Sequence, residues 1–419
     1  MGAVGPTASG RPRVVVVGGG FAGLSAVREL SGADVDVLLL DRDPYNTFQP
    51  LLYQVATGGL NPGDVTYALR AFAGRFRNVR FQRVSVTEVD TSNRRVRVDS
   101  GADITYDYLI LCCGVTAHYF GIGGAQEHAR TIYTRQSAIQ VRDLVLSSLE
   151  TVAQGREGAV EPVFVIVGGG ATGVEMAGAL AELRNAGLPL AYPELDPNRV
   201  RVVLVEMTGE VLAPFAPGLR TYTADELRAR GVDLRLGVAV DEVREDCVIL
   251  SDGEHLPSAV TIWATGVKVH DRVSGWGLPQ GRGGRVQVDA DLRVVGHPDV
   301  FAVGDMAAGT GGPLPQLAQP AIQGGRHAAA QVRRLVAGEQ TEAFTYKDKG
   351  IMATIGRSDA VIQLPNGLKV RGFLAWLGWL GLHIVTLMSH RNRLATMANL
   401  SVRYLTWKRG ANVIVGDPP

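Results

Sequence analysis

A glycine-rich pattern occurs twice in this chain, and it constrains the fold more than any other feature. RVVVVGGGFAGLSAVREL at 13–30 returns as VFVIVGGGATGVEMAGALAEL at 163–183. Each copy is a short β-branched run, a glycine cluster and apolar residues at helical spacing, which reads as the strand, turn and helix of a βαβ unit. Both satisfy GxGxxG, with Gly18, Gly20 and Gly23 in the first copy and Gly168, Gly170 and Gly173 in the second. The first glycine of such a turn permits the tight bend. The second lets a pyrophosphate approach the backbone, and the third lets helix pack on strand, while the helix N-terminus faces the phosphate charge. A lone match is weak evidence, but two matches in the required strand-to-helix context predict an α/β chain with two Rossmann-like dinucleotide-binding domains.

Such a fold places an acid at the end of the following strand, where it takes the adenosine ribose hydroxyls. In the first copy DVDVLLLD ends in Asp41, followed by Arg42, 18 residues after Gly23. In the second, RVRVVLVE ends in Glu206, 33 residues after Gly173, and the excess is the insertion LPLAYPELDPN. A carboxylate at Glu206, followed by Met207 and Thr208 and not by Arg, would repel a 2′-phosphate, so NADH is predicted over NADPH.

The 419 residues suffice for two or three domains, and 42 Lys and Arg against 41 Asp and Glu leave a net charge of +1. No whole-protein field therefore points to nucleic acid. Three cysteines, Cys112, Cys113 and Cys247, supply neither a disulfide framework nor zinc-site spacing, and no metal is expected. Cys112 and Cys113 are adjacent in YDYLILCCG, read as a strand whose successive side chains face opposite sides. They cannot present a joint dithiol and are expected to be buried small apolar residues. That removes the disulfide reductases, and with them the sulfide oxidisers, which also work through cysteine. The opening MGAVGPTASGRP has no apolar core of signal-peptide length, so a reducing compartment is expected and export is not.

Two further strand-to-turn elements bear on the cofactor. DVFAVGDM at 299–306 ends near Gly304 and Asp305, and TIWATGV at 261–267 carries Gly266. With the glycine pair they resemble the two-dinucleotide-domain flavoproteins, which implies FAD on the first copy, the nicotinamide cofactor on the second, Asp305 on the flavin ribityl chain, and the ATG turn at Gly266 closing the flavin domain. NTFQPLLYQVATGGLNPGDV at 46–65, LAQPAIQGGRHAA at 317–329 and KDKGIMATIGRSDAVI at 347–362 resemble the type II NADH:quinone oxidoreductases, the single-subunit, non-proton-pumping NADH dehydrogenases. That resemblance runs from about residue 12 to about residue 409. It implies hydride transfer from NADH to FAD and two-electron reduction of a membrane quinone, menaquinone or ubiquinone.

The same resemblance implies that the AQxxxQ segment lines the quinone site, which maps onto Gln319 and Gln323. At i and i+4 these amides share one helix face. It implies that Glu175 lies beside the nicotinamide, where it orients the ring or carries protons, and that Lys349 lies near the flavin and quinone end. Helix-dipole compensation in the first turn is the competing reading of Glu175, and a surface lysine that of Lys349. Gly324 departs from the family pattern, where many members carry Gln, as do Asn46 and Thr47, where His is frequent. The expected division is a FAD domain at 12–125 and 286–345, an NADH domain at 160–285 and a membrane-associating, quinone-site region at 346–419.

GFLAWLGWLGLHIVTLMS, from Gly372 to Ser389, has 18 residues without Asp, Glu, Lys or Arg. No acid occurs between Ala360 and Gly416, while Lys369, Arg371, Arg391, Arg393, Arg403, Lys408 and Arg409 do. With Trp376, Trp379 and Trp407 at its boundaries, the segment reads as a helix pair lying in the interface of an anionic membrane, on the cytoplasmic face of the cell membrane. A helical dimer interface, and so a homodimer, is the competing reading. Two other functions use the same motifs: a soluble reductase serving ferredoxin or a small quinone, and a flavin-bearing NADH-sensing protein with little turnover.

Overall fold

Val14, Val15 and Val16 are wholly buried, as are Val165 and Ile166 of the second copy. Continuous apolar runs of this kind belong to central parallel strands covered on both faces. The computed structural model describes residues 10–155, 161–309, 312 and 314–406, with the backbone alone at 402–406. The chain divides into two compact units, 1–46 with 67–116 and 267–348, and 47–66 with 117–266 and 349–419.

In the first unit Arg13–Val17 lies in an eight-stranded sheet between Asp36–Asp41 and Tyr108–Leu111. Both pairings are parallel. Val79–Arg83 continues one side, and His297–Ala302, the strand leading to Gly304, pairs in parallel on the other. The helix Phe21–Leu30 packs on Ala318–Val336 so closely that a Cβ at Gly325 would lie 2.1 Å from the Ala22 carbonyl oxygen.

The second unit has a five-stranded parallel sheet in the order Arg130–Thr131, Val260–Trp263, Val163–Val167, Arg201–Glu206 and Asp233–Leu236. The helix Ala171–Glu182 follows its glycine turn. Gly178 on that helix abuts the backbone of Ile355 and Gly356, where a Cβ would meet the Gly356 nitrogen at 2.7 Å. Ile351–Thr354, Ala360–Gln363 and Lys369–Arg371 form an antiparallel sheet, followed by the helices Phe373–Thr386 and His390–Thr406.

These units cut the chain elsewhere than the division read from sequence. Residues 267–285 fall in the first unit, where the indole N–H of Trp276 donates to the Thr87 carbonyl at 3.2 Å. Residues 47–66 and the C-terminal region fall in the second, where Asn392 donates to the Thr66 carbonyl at 2.7 Å and Asn399 to the Asp64 carboxylate.

The expected helix pair is present, and among the described residues no helix is long and apolar enough to cross a membrane. One expectation is corrected. Trp376 and Trp379, predicted at a lipid boundary, are buried at 7% and 2% exposure, whereas Phe373, Leu374, Leu377, Leu382 and Val385 form the exposed face. Helical spacing turned the indoles onto the antiparallel sheet and left the aliphatic residues outside. Lys369, Arg371 and Arg391 are exposed; the side chain of Arg403 and all of Trp407, Lys408 and Arg409 lie outside the described residues.

Candidate functional site

The first glycine turn owes its shape to contacts only glycine tolerates. Gly18 has φ +111°, and a Cβ there would lie 2.3 Å from the Cys112 carbonyl oxygen; a Cβ on Gly23 would lie 1.8 Å from the Gly18 carbonyl oxygen. Gly20 has open space and caps Phe21–Leu30 without a side-chain hydrogen bond, so the first N–H groups of the helix face outward for an anion. Asp41 accepts from the Gly19 N–H and, at 2.8 Å, from the Asp43 N–H. Burial pushes its carboxyl above the usual range against these bonds. Arg42 is exposed beside Asp43, at 3.5 Å.

Gly304 (φ +72°) begins the short 3-10 turn Gly304–Met306 and leaves little room beside Ala22 and Ala321. Burial pushes Asp305 up to about 6, opposed by the charge of Arg285. Its carboxylate has no hydrogen-bond partner among the described residues. Arg285 is engaged elsewhere, donating to the Ala307 and Leu314 carbonyls. A largely desolvated acid without a donor fits a polyhydroxylated chain such as the ribityl of FAD, and the glycine turn fits its pyrophosphate.

The second turn repeats the first. Gly168 has φ +111°, a Cβ on Gly173 would lie 1.8 Å from the Gly168 carbonyl oxygen, and Gly170 caps Ala171–Glu182 in open space. Glu206 accepts from the Gly169 N–H at 2.6 Å with one oxygen and from the Thr208 N–H at 2.8 Å with the other. The Thr208 hydroxyl lies 2.9 Å from that second oxygen. Gly266 (φ +65°) admits no side chain, because its Cβ would meet Phe120 at 2.4 Å and the His118 carbonyl oxygen at 2.7 Å.

Glu175 lies past the first turn of its helix, which holds no acid, so it does not serve the helix dipole as the competing reading had it. It is half-buried, accepts from the Thr354 N–H at 3.4 Å, and desolvation pushes its carboxyl up to about 8.

Gln319 and Gln323 do share a face of Ala318–Val336, with Nε2 of Gln323 3.5 Å from Oε1 of Gln319. Neither caps the helix start. Gln323 also spans the backbone of Lys347, donating to its carbonyl at 2.9 Å and accepting from its N–H at 3.0 Å. Lys349 is exposed. Cys112 and Cys113 follow the strand Tyr108–Leu111 and do not lie within it, a correction to the reading of YDYLILCCG. Burial drives both thiols up, Cys113 to about 12, which suits inert packing groups.

Sequence reasoning missed Asn46, which is 5% exposed and donates from Nδ2 to the Gly19 carbonyl at 2.8 Å. It missed Leu212, whose N–H donates to the Gly169 carbonyl at 2.8 Å from a φ of +53°. It also missed the Thr354 N–H donor to Glu175 and the Thr208 brace on Glu206. Asn46 had left a trace as a departure from pattern; the others left none.

Two glycine turns, each closed on its own acid and each leaving a parallel strand pair of its own sheet, define a two-dinucleotide α/β protein. Residues 12–325 match the pyridine nucleotide-disulphide oxidoreductase family. The chain is 36% identical over 417 residues to the type II NADH:quinone oxidoreductase Ndh of Mycobacterium tuberculosis, covering 96% of this chain and 89% of that one. It is 30% identical over 434 residues to the mitochondrial internal alternative NAD(P)H-ubiquinone oxidoreductase A1 of Arabidopsis thaliana, covering 94% and 84%. The solved structure of NDH2 from Plasmodium falciparum in complex with NADH shares the fold, with a TM-score of 0.87 at 18% identity, over 95% of this chain and 99% of that one. The chain belongs to the type II NADH:quinone oxidoreductases, within the pyridine nucleotide-disulphide oxidoreductase family.

Proposed function

We propose that this protein oxidises NADH and reduces a membrane quinone by two electrons, with FAD as the resident carrier and without pumping protons. The observation that carries the reading is the pair of glycine turns in one chain of this family, one beside a half-buried acid that has no hydrogen-bond partner among the described residues. FAD supplies hydride acceptance and two-electron delivery when bound. In sum, NADH gives up a hydride, one proton is drawn from solvent, and the quinone leaves as quinol.

Gly18, Gly20 and Gly23 hold the FAD pyrophosphate against the open helix N-terminus, Asp41 and Arg42 take its adenosine end, and Gly304 with Asp305 the ribityl chain. Gly168, Gly170 and Gly173 hold the NADH pyrophosphate; Gly266, expected to close the flavin domain, follows a strand of the second unit and so belongs with this turn. Glu206, braced by Thr208 and Gly169, accepts from the ribose hydroxyls and repels the 2′-phosphate of NADPH. Glu175 orients the nicotinamide and holds a proton near neutral pH, because its surroundings are dry.

Gln319 and Gln323 line the quinone end. Gln323 is held by Lys347, and the Gln319 amide donates to a quinone carbonyl, with Lys349 available for a proton. The domain roles keep the order read from sequence, FAD on 12–125 and 286–345, NADH on 160–285, quinone and membrane on 346–419, except that 267–285 go with the first unit and 47–66 with the second. The exposed apolar face of Phe373–Thr386 and its basic flanks seat the protein peripherally on anionic lipid at the cytoplasmic face of the cell membrane, where a long-tailed quinone resides.

Anaerobic mixing with NADH tests the reading: the yellow flavin band bleaches, and menaquinone or ubiquinone analogues restore it. Colourless protein that takes up no flavin, or a band that NADH leaves unchanged, overturns it. Leu374→Glu with Val385→Glu abolishes sedimentation with anionic liposomes; a variant that still sediments, or one that instead shifts a dimer to monomer, overturns the membrane assignment.

A further inference from the structure

Residues 339–350 form no helix or strand, yet the segment 340–347 is strapped along one face of the helix Ala318–Val336, all within the first unit. Gln323, His327 and Gln331 fall on that face at spacings of four. Gln331 is 2% exposed, and its Oε1 accepts from the Glu342 N–H at 2.7 Å. Nε2 of His327 donates to the Glu342 carbonyl at 3.0 Å; a carbonyl only accepts, so that nitrogen carries the hydrogen. Both backbone groups of Glu342 are thus held by the helix, as Gln323 holds both of Lys347. The strap runs antiparallel to the helix, with 342 beside 331 and 347 beside 323. Other bonds keep it in register. Arg334 donates to the Gln340 carbonyl at 2.6 Å, and the Thr341 hydroxyl donates to the Asp291 carboxylate at 2.6 Å. The Phe344 N–H donates to the Ala290 carbonyl at 2.7 Å, and its ring meets that of His327 at 5.2 Å.

A side-chain amide has a donor end and an acceptor end of nearly the same shape, so only its partners decide which way it points. For Gln323 the Lys347 backbone decides: the N–H must meet Oε1 and the carbonyl must meet Nε2. Nε2 of Gln323 then lies 3.5 Å from Oε1 of Gln319, which leaves the Gln319 NH2 on the side away from Gln323. We propose that the strap is an orientation device for the quinone site. Gln331 and His327 fix Glu342, the strap carries that register to Lys347, and Lys347 through Gln323 turns the donor end of Gln319 outward. Gln331 and His327 are therefore positioning residues, which act through the strap and not on the quinone. With the strap loose, the Gln319 amide turns over, and an acceptor oxygen then faces the quinone carbonyl where a donor is needed. The proposal rests on the reading of Gln319 as the quinone donor.

The test uses the flavin-loaded enzyme, a short-chain ubiquinone or menaquinone analogue, and hydrogen exchange of the strap amides. Gln331→Met keeps the side-chain length without the acceptor, and His327→Phe keeps a ring against Phe344 without the donor. Each speeds exchange at the Lys347 N–H, five residues beyond the altered bond, and raises the quinone KM about fivefold to tenfold, the effect of one buried hydrogen bond. The NADH KM and the rate at which NADH bleaches the flavin stay unchanged, which a general loss of folding would not allow. Gln319→Leu raises the quinone KM at least as far, and adding Gln331→Met to it raises it no further. Arg326→Ala, exposed on the same helix, changes none of these. Unchanged exchange at Lys347, or faster exchange with an unchanged quinone KM, overturns the proposal; where Gln331→Met folds poorly, His327→Phe decides it. A quinone KM that Gln319→Leu leaves unchanged instead overturns the role given to Gln319, and the proposal with it.

Discussion

Gly18 and Gly168 share a φ of +111°, and Gly23 and Gly173 would each bring a Cβ to 1.8 Å from the carbonyl of the turn's first glycine. In both turns the middle glycine, Gly19 or Gly169, donates its N–H to the strand-end acid. Its carbonyl is then satisfied by different means. At Gly19 the side chain of Asn46 donates at 2.8 Å; at Gly169 the backbone of Leu212 does so, from a left-handed conformation. The acids are finished differently as well, Asp41 by a backbone N–H alone and Glu206 by the backbone and hydroxyl of Thr208. The glycine geometry is thus the same in both turns, while the walls around each were built separately.

The largest effects come from breaking the glycine plan one turn at a time. Gly23→Ala forces Cβ into a backbone oxygen that cannot move, so the protein purifies without flavin absorbance. Gly173→Ala does the same in the second turn and yields yellow protein that NADH no longer bleaches. Loss of flavin in both variants would show that the turns are not independent.

Next in size is Asp305, which has no counterpart described at the second turn. Its folded carboxyl keeps a proton to about pH 6 and an unfolded one only to about 4. The folded state therefore binds more protons in that window, and the stability of flavin-stripped protein falls as pH rises through it. Asp305→Asn removes the slope and raises flavin-free stability at pH 7 by up to roughly 3 kcal/mol. It also weakens flavin retention. Thermal unfolding at pH 4.5 and 7 measures both parts.

Asn46→Ala strands the buried Gly19 carbonyl and costs about 1–3 kcal/mol in thermal or denaturant unfolding. It loosens flavin and leaves NADH affinity unchanged. Glu206→Gln removes the charge facing a 2′-phosphate, so the NADH to NADPH ratio of kcat/KM narrows by about tenfold, roughly 1.4 kcal/mol. The smallest change is Arg42→Ala, an exposed pair with Asp43. It alters stability by less than about 0.5 kcal/mol; a larger loss confined to flavin binding assigns Arg42 a direct contact with the cofactor.

Much of each glycine turn was legible in sequence because its determinants are local: the contact of Gly23 with Gly18 spans five residues, and each acid ends the next strand. The i, i+4 pairing of Gln319 and Gln323 was legible for the same reason. The C-terminal helices were readable as apolar and basic, but periodicity does not say which side of a helix meets the protein, and the tryptophans went inward.

The sequence by itself determined two nucleotide folds, the glycines that make them and the acids that complete them, because these follow from steric rules within one strand, turn and helix. Only the tertiary structure decided that Asn46 and Leu212 close those turns, that Asp305 has no donor among the described residues, and that the Thr354 N–H reaches Glu175 from 179 residues along the chain. Such contacts depend on where distant segments converge and on how much water burial removes, and neither is written in local spacing.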